Sequence, residues 1–322
     1  MSEAGTITAT NITKHHGAQV VLQDVTLVVP PRARIGLVGP NGVGKSTLLR
    51  MLGGLEDPDA GTVRRSPPEL AVGYLPQERE PGHETVAAFL ARRTGVAAAG
   101  AELDVLTERL AADADAIELH ARALDRFLAL GGADLAPRAA AVCAELGLDV
   151  SLKRELSTLS GGEAARAQLA SILLARFDVF LLDEPTNDLD FDGLARLERF
   201  VTDVNGAVLV VSHDRRFLDR TVERIVELDE WTRGAREYTG GWSEYERARE
   251  LARQRQYGAY DEYAEEKRRL EQQLHRMQEW ERRGYGQGRK KKKAKDVKSA
   301  IGGRIERLNV VAKPYEPWQL QL

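Results

Sequence analysis

GPNGVGKST, Gly39 to Thr47, follows directly on the apolar run ARIGLV at 33–38. Its first eight residues satisfy the spacing of a glycine, four variable positions, a second glycine, a lysine and a serine or threonine. The apolar run reads as a buried strand, and a helix is expected to begin as the glycines end. Gly39, Gly42 and Gly44 allow backbone turns that a side chain would block. Successive N–H groups can therefore point inward, and the following helix adds its positive end, which makes a cradle for phosphate oxygens. Lys45 is placed to reach the β- and γ-phosphates and the Ser46 hydroxyl to hold Mg²⁺, with Asn41, Thr47 and the loop amides on the remaining oxygens. The expected ligand is a nucleoside triphosphate with its magnesium ion.

Around this loop, 322 residues with 43% hydrophobic content can bury a sizeable core, and the length suggests about two domains. No uninterrupted apolar run approaches the roughly 18 residues needed to cross a bilayer. The N-terminal MSEAGTITAT lacks the basic start and apolar stretch of a secretory signal. The single cysteine, Cys143, has no internal disulfide partner and reads as a packing residue in AAVCAEL. A soluble, cytoplasmic protein is expected. The net charge of −3 conceals an asymmetry: Glu244–Leu322 carries 20 basic against 13 acidic residues, and residues 1–243 carry 26 against 36. The two parts are built for different partners.

TITATNI and VVLQDVTLVV alternate apolar and polar residues and predict antiparallel strands, and AVGYL at 71–75 predicts a short strand. From about Val86 to Val150 the spacing is helical and alanine-rich, broken at Gly131-Gly132 and Gly147. DVFLLDEP, AVLVVSHD and RIVEL are apolar runs divided by helical stretches, the pattern of a parallel sheet covered on both faces. The first of these ends in paired carboxylates. Asp183 is expected at the sheet's C-terminal edge beside the glycine loop, where it can hold Mg²⁺, and Glu184 beside it can polarise an attacking water.

Gln77 in YLPQE, LSGGE at 159–163, TNDLD at 186–190 and His213 in VVSHD complete a fixed order along the chain. Together with the loop and the two carboxylates, that order resembles an ATP-binding cassette domain. The resemblance implies that Gln77 links metal and water to the helical insertion and that His213 supports charge developing on the γ-phosphate. It also makes Ser160, Gly161 and Gly162 the signature segment. These three precede the helical run EAARAQLASILLA, so they form a second helix N-terminus suited to phosphate. In cassettes this segment closes over the ATP of a different domain. With one phosphate loop in the sequence, a second cassette is implied as partner, in the same longer chain or by dimerisation.

LSGGE, DEPTNDLD and VSHDRRFLDRTVERIVELDE resemble the ABC-F branch, and YTGGWSEYERARE at 238–250 resembles the segment where its first cassette passes into a linker. Asp188 stands where that branch usually has histidine, and Gly241-Trp242 where it has Asn-Tyr. His16 in KHHG stands where an aromatic ring usually stacks on adenine. ABC-F proteins carry two cassettes, bind the ribosome and act as translation factors or protect ribosomes against antibiotics. The resemblance therefore implies the ribosome, with its tRNA and rRNA, as partner.

In the tail, Tyr260, Tyr263, Leu270, Leu274 and Met277 predict one helical seam and Val297, Ile301, Ile305 and Leu308 a returning one, with GYGQG at 284–288 as the turn. RKKKKAK at 289–295 gathers positive charge after that turn and favours RNA phosphate without reading sequence. The expected fold is thus α/β: a P-loop NTPase ATP-binding cassette over 1–240, with an antiparallel β subdomain and a helical insertion at about 83–155. A basic α-helical hairpin linker over 241–322 follows and leads to a second cassette outside this sequence. Two other readings share the catalytic motifs: the ATPase subunit of a membrane transporter, and a module that grips ATP without turnover.

Overall fold

The computed structural model describes residues 5–76, 83–110, 116–282, 299 and 301. The alternating segments form β1 (Thr6–His16) and β2 (Gln19–Val29), paired antiparallel from Ile7↔Val29 to His16↔Gln19. Alternation buries one face, with Ile7, Ile12, Val25 and Val29 all fully enclosed. β3 (Arg34–Val38) is buried at every position, as a parallel strand covered on both sides must be. The loop leads into α1 (Lys45–Leu52). β4 (Ala60–Ser66) completes a three-stranded sheet in the order β2-β1-β4, and β5 (Val72–Leu75) begins a second sheet.

Among the described residues four helices follow: α2 (Val86–Arg93), α3 (Val96–Leu110), α4 (Ala116–Ala129) and α5 (Leu135–Glu145). They bury small apolar clusters of their own, one around Val86, Leu90 and Cys143 and one around Val96, Ala99 and Leu130. Burial also pushes the Cys143 thiol up, away from the reactive thiolate. The chain returns through α6 (Gly161–Leu174) to β6 (Val179–Asp183), α7 (Phe191–Asp203), β7 (Ala207–Val211), α8 (Arg215–Thr221), β8 (Arg224–Leu228) and β9 (Ala235–Thr239). The second sheet runs β5-β6-β7-β3-β8-β9. Its first five strands are parallel and β9 closes the edge antiparallel to β8. Because β3 sits next to β7, and β7 next to β6, the loops leaving their C-terminal ends emerge side by side.

β4 and β9 are absent from the sequence expectations. AGTVRRS and AREYT carry arginines and little apolar alternation, as befits strands at sheet edges, where charge discourages further pairing.

α9 spans Trp242–Arg282. Residues to Tyr245 pack with the sheets in one compact unit, and from Glu246 a second begins. In the first turn, Asp219 of α8 accepts from the Ser243 amide at 2.6 Å and its hydroxyl at 2.9 Å, and the Arg215 guanidinium lies 5.4 Å from the Trp242 ring centre. The Tyr245 and Tyr238 hydroxyls donate to the two oxygens of Glu227 at 2.9 and 3.1 Å. Within the second unit, Leu270 is buried and Tyr260, Tyr263 and Leu274 are half-buried, on a helix whose described positions are for the most part exposed. The side chain of Met277, the turn at 284–288, the basic run at 289–295 and nearly all of the returning seam lie outside the described residues.

Candidate functional site

Gly44 adopts φ +108, and a Cβ placed on it would stand 2.8 Å from Val21 Cγ1, so both conformation and space demand glycine there. Gly39 (φ +151) is constrained in the same way, its added Cβ 2.8 Å from the Leu228 carbonyl, whereas Gly42 (φ +76) faces open space and is constrained by conformation alone. No side chain caps α1, so its leading N–H groups remain available to an anion. The Lys45 ammonium donates to the carbonyls of Gly39 at 2.8 Å and Pro40 at 3.0 Å. Burial lowers its pKa, and the Glu184 and Asp183 charges act in the opposite direction.

A cleft of about 490 Å³ opens above this loop. Asn41, Gly42, Gly44, Lys45, Ser46 and Thr47 form its floor, and Asp183, Glu184, Val211 and His213 one wall. His16, Gln19 and Val21 of the antiparallel sheet form the rim. His16 Nε2 stands 3.4 Å from Glu56 Oε1 and the imidazole is half exposed. Three elements far apart in sequence thus meet because the central strands end together.

Glu184 is 4% exposed and holds φ +50, a left-handed conformation unusual for a side-chain-bearing residue. Its amide donates to the Val211 carbonyl at 2.9 Å, which ties the end of β6 to that of β7. Its Oε2 accepts from the His213 amide at 3.1 Å. His213 Nε2 lies 3.1 Å from Oε1, but without the alignment of a hydrogen bond, and Oε1 is buried with no hydrogen-bond partner. Burial pushes the Glu184 carboxyl up to about 7; the Asp183 charge adds to this, and the His213 amide and Lys45 oppose it. Burial, followed by the Lys45 charge, lowers His213. The neutral forms of both groups are therefore favoured, and a carboxyl titrating near neutrality suits proton abstraction from water.

Asp183 is buried beside it, and its Oδ2 accepts from the Tyr74 hydroxyl at 3.2 Å. Among the described residues there is no cluster of three or more His, Cys, Asp or Glu able to hold a metal unaided. Ser46 and Asp183 facing one cleft fit the alternative, a hard cation with few protein oxygens whose shell is completed by phosphate and water.

Ser160, Gly161 and Gly162 are exposed at the start of α6 and do not line this cleft. Ser160 caps the helix in a reciprocal box, its amide donating to Glu163 Oε2 at 2.7 Å and its hydroxyl accepting from the Glu163 amide at 3.3 Å. Gln77 lies outside the described residues. Sequence reasoning overlooked Gln19, Val21 and Tyr74. The first two are ordinary positions in an alternating strand and carry no signal of their own. Tyr74 is visible only through the pairing of β5 with β6.

Residues 22–187 match the ABC transporter family. A tylosin resistance ATP-binding protein of Streptomyces fradiae is 38% identical over 79% of this chain and 48% of its own length. ABC transporter F family member 2 of Arabidopsis thaliana is 29% identical over 97% of this chain and 46% of its own. The energy-dependent translational throttle protein of Escherichia coli K12 is 38% identical over 65% of this chain and 38% of its own. The chain therefore spans about half the length, or less, of these curated relatives. Two solved structures share the fold at a TM-score of 0.54: the ATP binding subunit of an ABC transporter, 19% identical over 72% of this chain and 89% of that one, and a bacterial Atm1-family ABC exporter with ATP bound, 20% identical over 79% and 43%. No described helix is long and apolar enough to cross a membrane. Sheet order, glycine loop and family match agree: the chain belongs to the ABC transporter family as an ATP-binding cassette, and its relatives lie in the ABC-F branch.

Proposed function

We propose that this chain binds and hydrolyses ATP, and that in partnership with a second cassette it couples the cycle to the ribosome, as a translation factor or in antibiotic resistance. The observation that carries the reading is the buried Glu184, which shares one cleft with Lys45 and stands against His213. In this reading the Lys45 ammonium exchanges the Gly39 and Pro40 carbonyls for β- and γ-phosphate oxygens, a charge-assisted contact strengthened by its partial burial. Asn41, Thr47 and the loop amides hold the remaining oxygens, and His16 borders the base. Ser46 and Asp183 hold Mg²⁺, which when bound supplies charge neutralisation on the phosphates. Glu184 takes the proton of the attacking water, and Gln77 positions that water against the helical insertion. His213 donates toward the charge that grows on the γ-phosphate.

The ribosomal part rests on the ABC-F likeness, on the basic tail and on the relatives named for tylosin resistance and for translational throttling. The Lys45→Ala variant tests the nucleotide site. Loss of the loop's one side-chain cation should weaken ATP binding by a few kcal/mol in calorimetry. Unchanged affinity would overturn the assignment.

A further inference from the structure

The Tyr74 hydroxyl is the one hydrogen-bond partner of the Asp183 carboxylate among the described residues. Its position follows from strand register. Tyr74 pairs with Leu181 in the parallel β5–β6 ladder, and Asp183 lies two residues further on, hence on the same face of the sheet. The ring packs against the apolar core beneath α1, and a Cβ on Gly53, just past that helix, would stand 3.4 Å from Tyr74 Cβ. Packing thus fixes the ring, and the phenol reaches along the strand to the carboxylate. Phenylalanine would fill the same space. A hydroxyl set against a buried acid makes a contact that packing does not require.

We infer that Tyr74 is a positioning residue for the metal-holding carboxylate: its hydroxyl engages Asp183 Oδ2 and leaves Oδ1 for a divalent cation beside Ser46. The inference rests on the ATP–Mg²⁺ reading above and assigns a determinant of metal affinity one shell behind the ligand. A phenol ionises only at about pH 10, so this hydroxyl is a donor across the neutral range. Arg50 bears on the same phenol and also donates to Thr47 Oγ1 at 3.3 Å, so the tyrosine connects the carboxylate to the helix that carries the loop. Groups that orient a metal ligand in this way typically change metal affinity by about 10–100-fold when removed.

The test compares wild type and Tyr74→Phe in the full chain by calorimetry, with ATP titrated in EDTA and in Mg²⁺, and with Mg²⁺ titrated at saturating ATP. The expected result is unchanged affinity in EDTA, an Mg²⁺ half-saturation point raised about tenfold or more, and a nearly unchanged melting temperature. Should Tyr74→Phe melt far below wild type, the same titrations on Tyr74→His, which keeps a donor, decide: retention of most of the Mg²⁺ response supports the role, and its complete loss overturns it. An Mg²⁺ response in Tyr74→Phe equal to that of wild type, or an equal loss of affinity with and without metal, also overturns the role. Absence of ATP binding by wild type would defeat the nucleotide reading itself, and the Tyr74 role with it.

Discussion

Glu184 combines two unfavourable features, a left-handed backbone and a carboxyl taken out of water, of the kind that persist where surrounding structure enforces them. The carboxyl's pKa is raised from 4.5 to about 7 in the folded chain, so the folded state binds its proton more tightly than the unfolded state does. Below pH 4.5 both states are protonated and burial is tolerated. As pH rises toward 7 the ionised form is disfavoured in the fold, and stability is lost. Glu184→Gln removes that penalty. Its melting temperature should match wild type near pH 4.5 and exceed it by several degrees at pH 8, at about 2–4 °C per kcal/mol for a unit of this size. An equal difference at both pH values would contradict the raised pKa. Under the proposed function the same substitution removes the base, so turnover should fall about 10²–10⁴-fold, and wild-type phosphate release should rise with pH through about 7.

α8 begins two residues after His213 and grips α9 through Asp219, so one short helix links the glycine-loop cleft to the first turn of the long one. Asp219 acts there as an N-terminal cap supplied from another element, since its oxygens take the Ser243 amide and hydroxyl. Asp219→Ala should cost about 1 kcal/mol at this junction, and by hydrogen exchange the amides of residues 243–245 should open about fivefold more readily while the central strands keep their protection. Unaltered exchange there would show that the cap carries no weight. β3, β6 and β7 were legible in the sequence because RIGLV, VFLLD and AVLVV are buried throughout, and continuous apolar runs have few other uses in an α/β chain. The Ser160–Glu163 box was local and equally legible as a helix start. β4 and β9 were not, because edge strands need no apolar face. That Lys45, Asp183, Glu184 and His213 line one cleft follows expectations drawn from the glycine-loop spacing, from the acidic end of a strand and, for His213, from the cassette resemblance. Tyr74 and Gln19 could not be foreseen, because their importance depends on register and on which sheet forms the rim, both products of long-range pairing.

The molecule separates its two phosphate-suited helix starts: the glycine loop faces the cleft, whereas Ser160–Gly162 are exposed elsewhere. Under the two-cassette reading, the exposed start belongs to a neighbour's nucleotide, so turnover per chain should rise with concentration when this chain acts alone. Vigorous turnover by a species shown by light scattering to be monomeric would contradict the sandwich. Charge is distributed just as unevenly, with an acidic body and a tail holding 20 basic against 13 acidic residues, four of them the lysines at 290–293. An acidic body repels nucleic acid while a basic tail draws it, which suits a protein that touches RNA through one part only. In a protein carrying both cassettes, Glu184→Gln should trap the ATP-bound form on ribosomes. Replacing Lys290, Lys291, Lys292 and Lys293 by Ala in that background leaves up to four phosphates without a cation. Association should therefore weaken and its dependence on salt should flatten, by a slope of roughly 0.7–0.9 for each phosphate no longer neutralised. Sedimentation through sucrose at two salt concentrations measures both effects. Equal co-sedimentation with and without the lysines would make the basic run a solvated stretch, and failure of the trapped form to sediment at all would remove the ribosome from the proposed function.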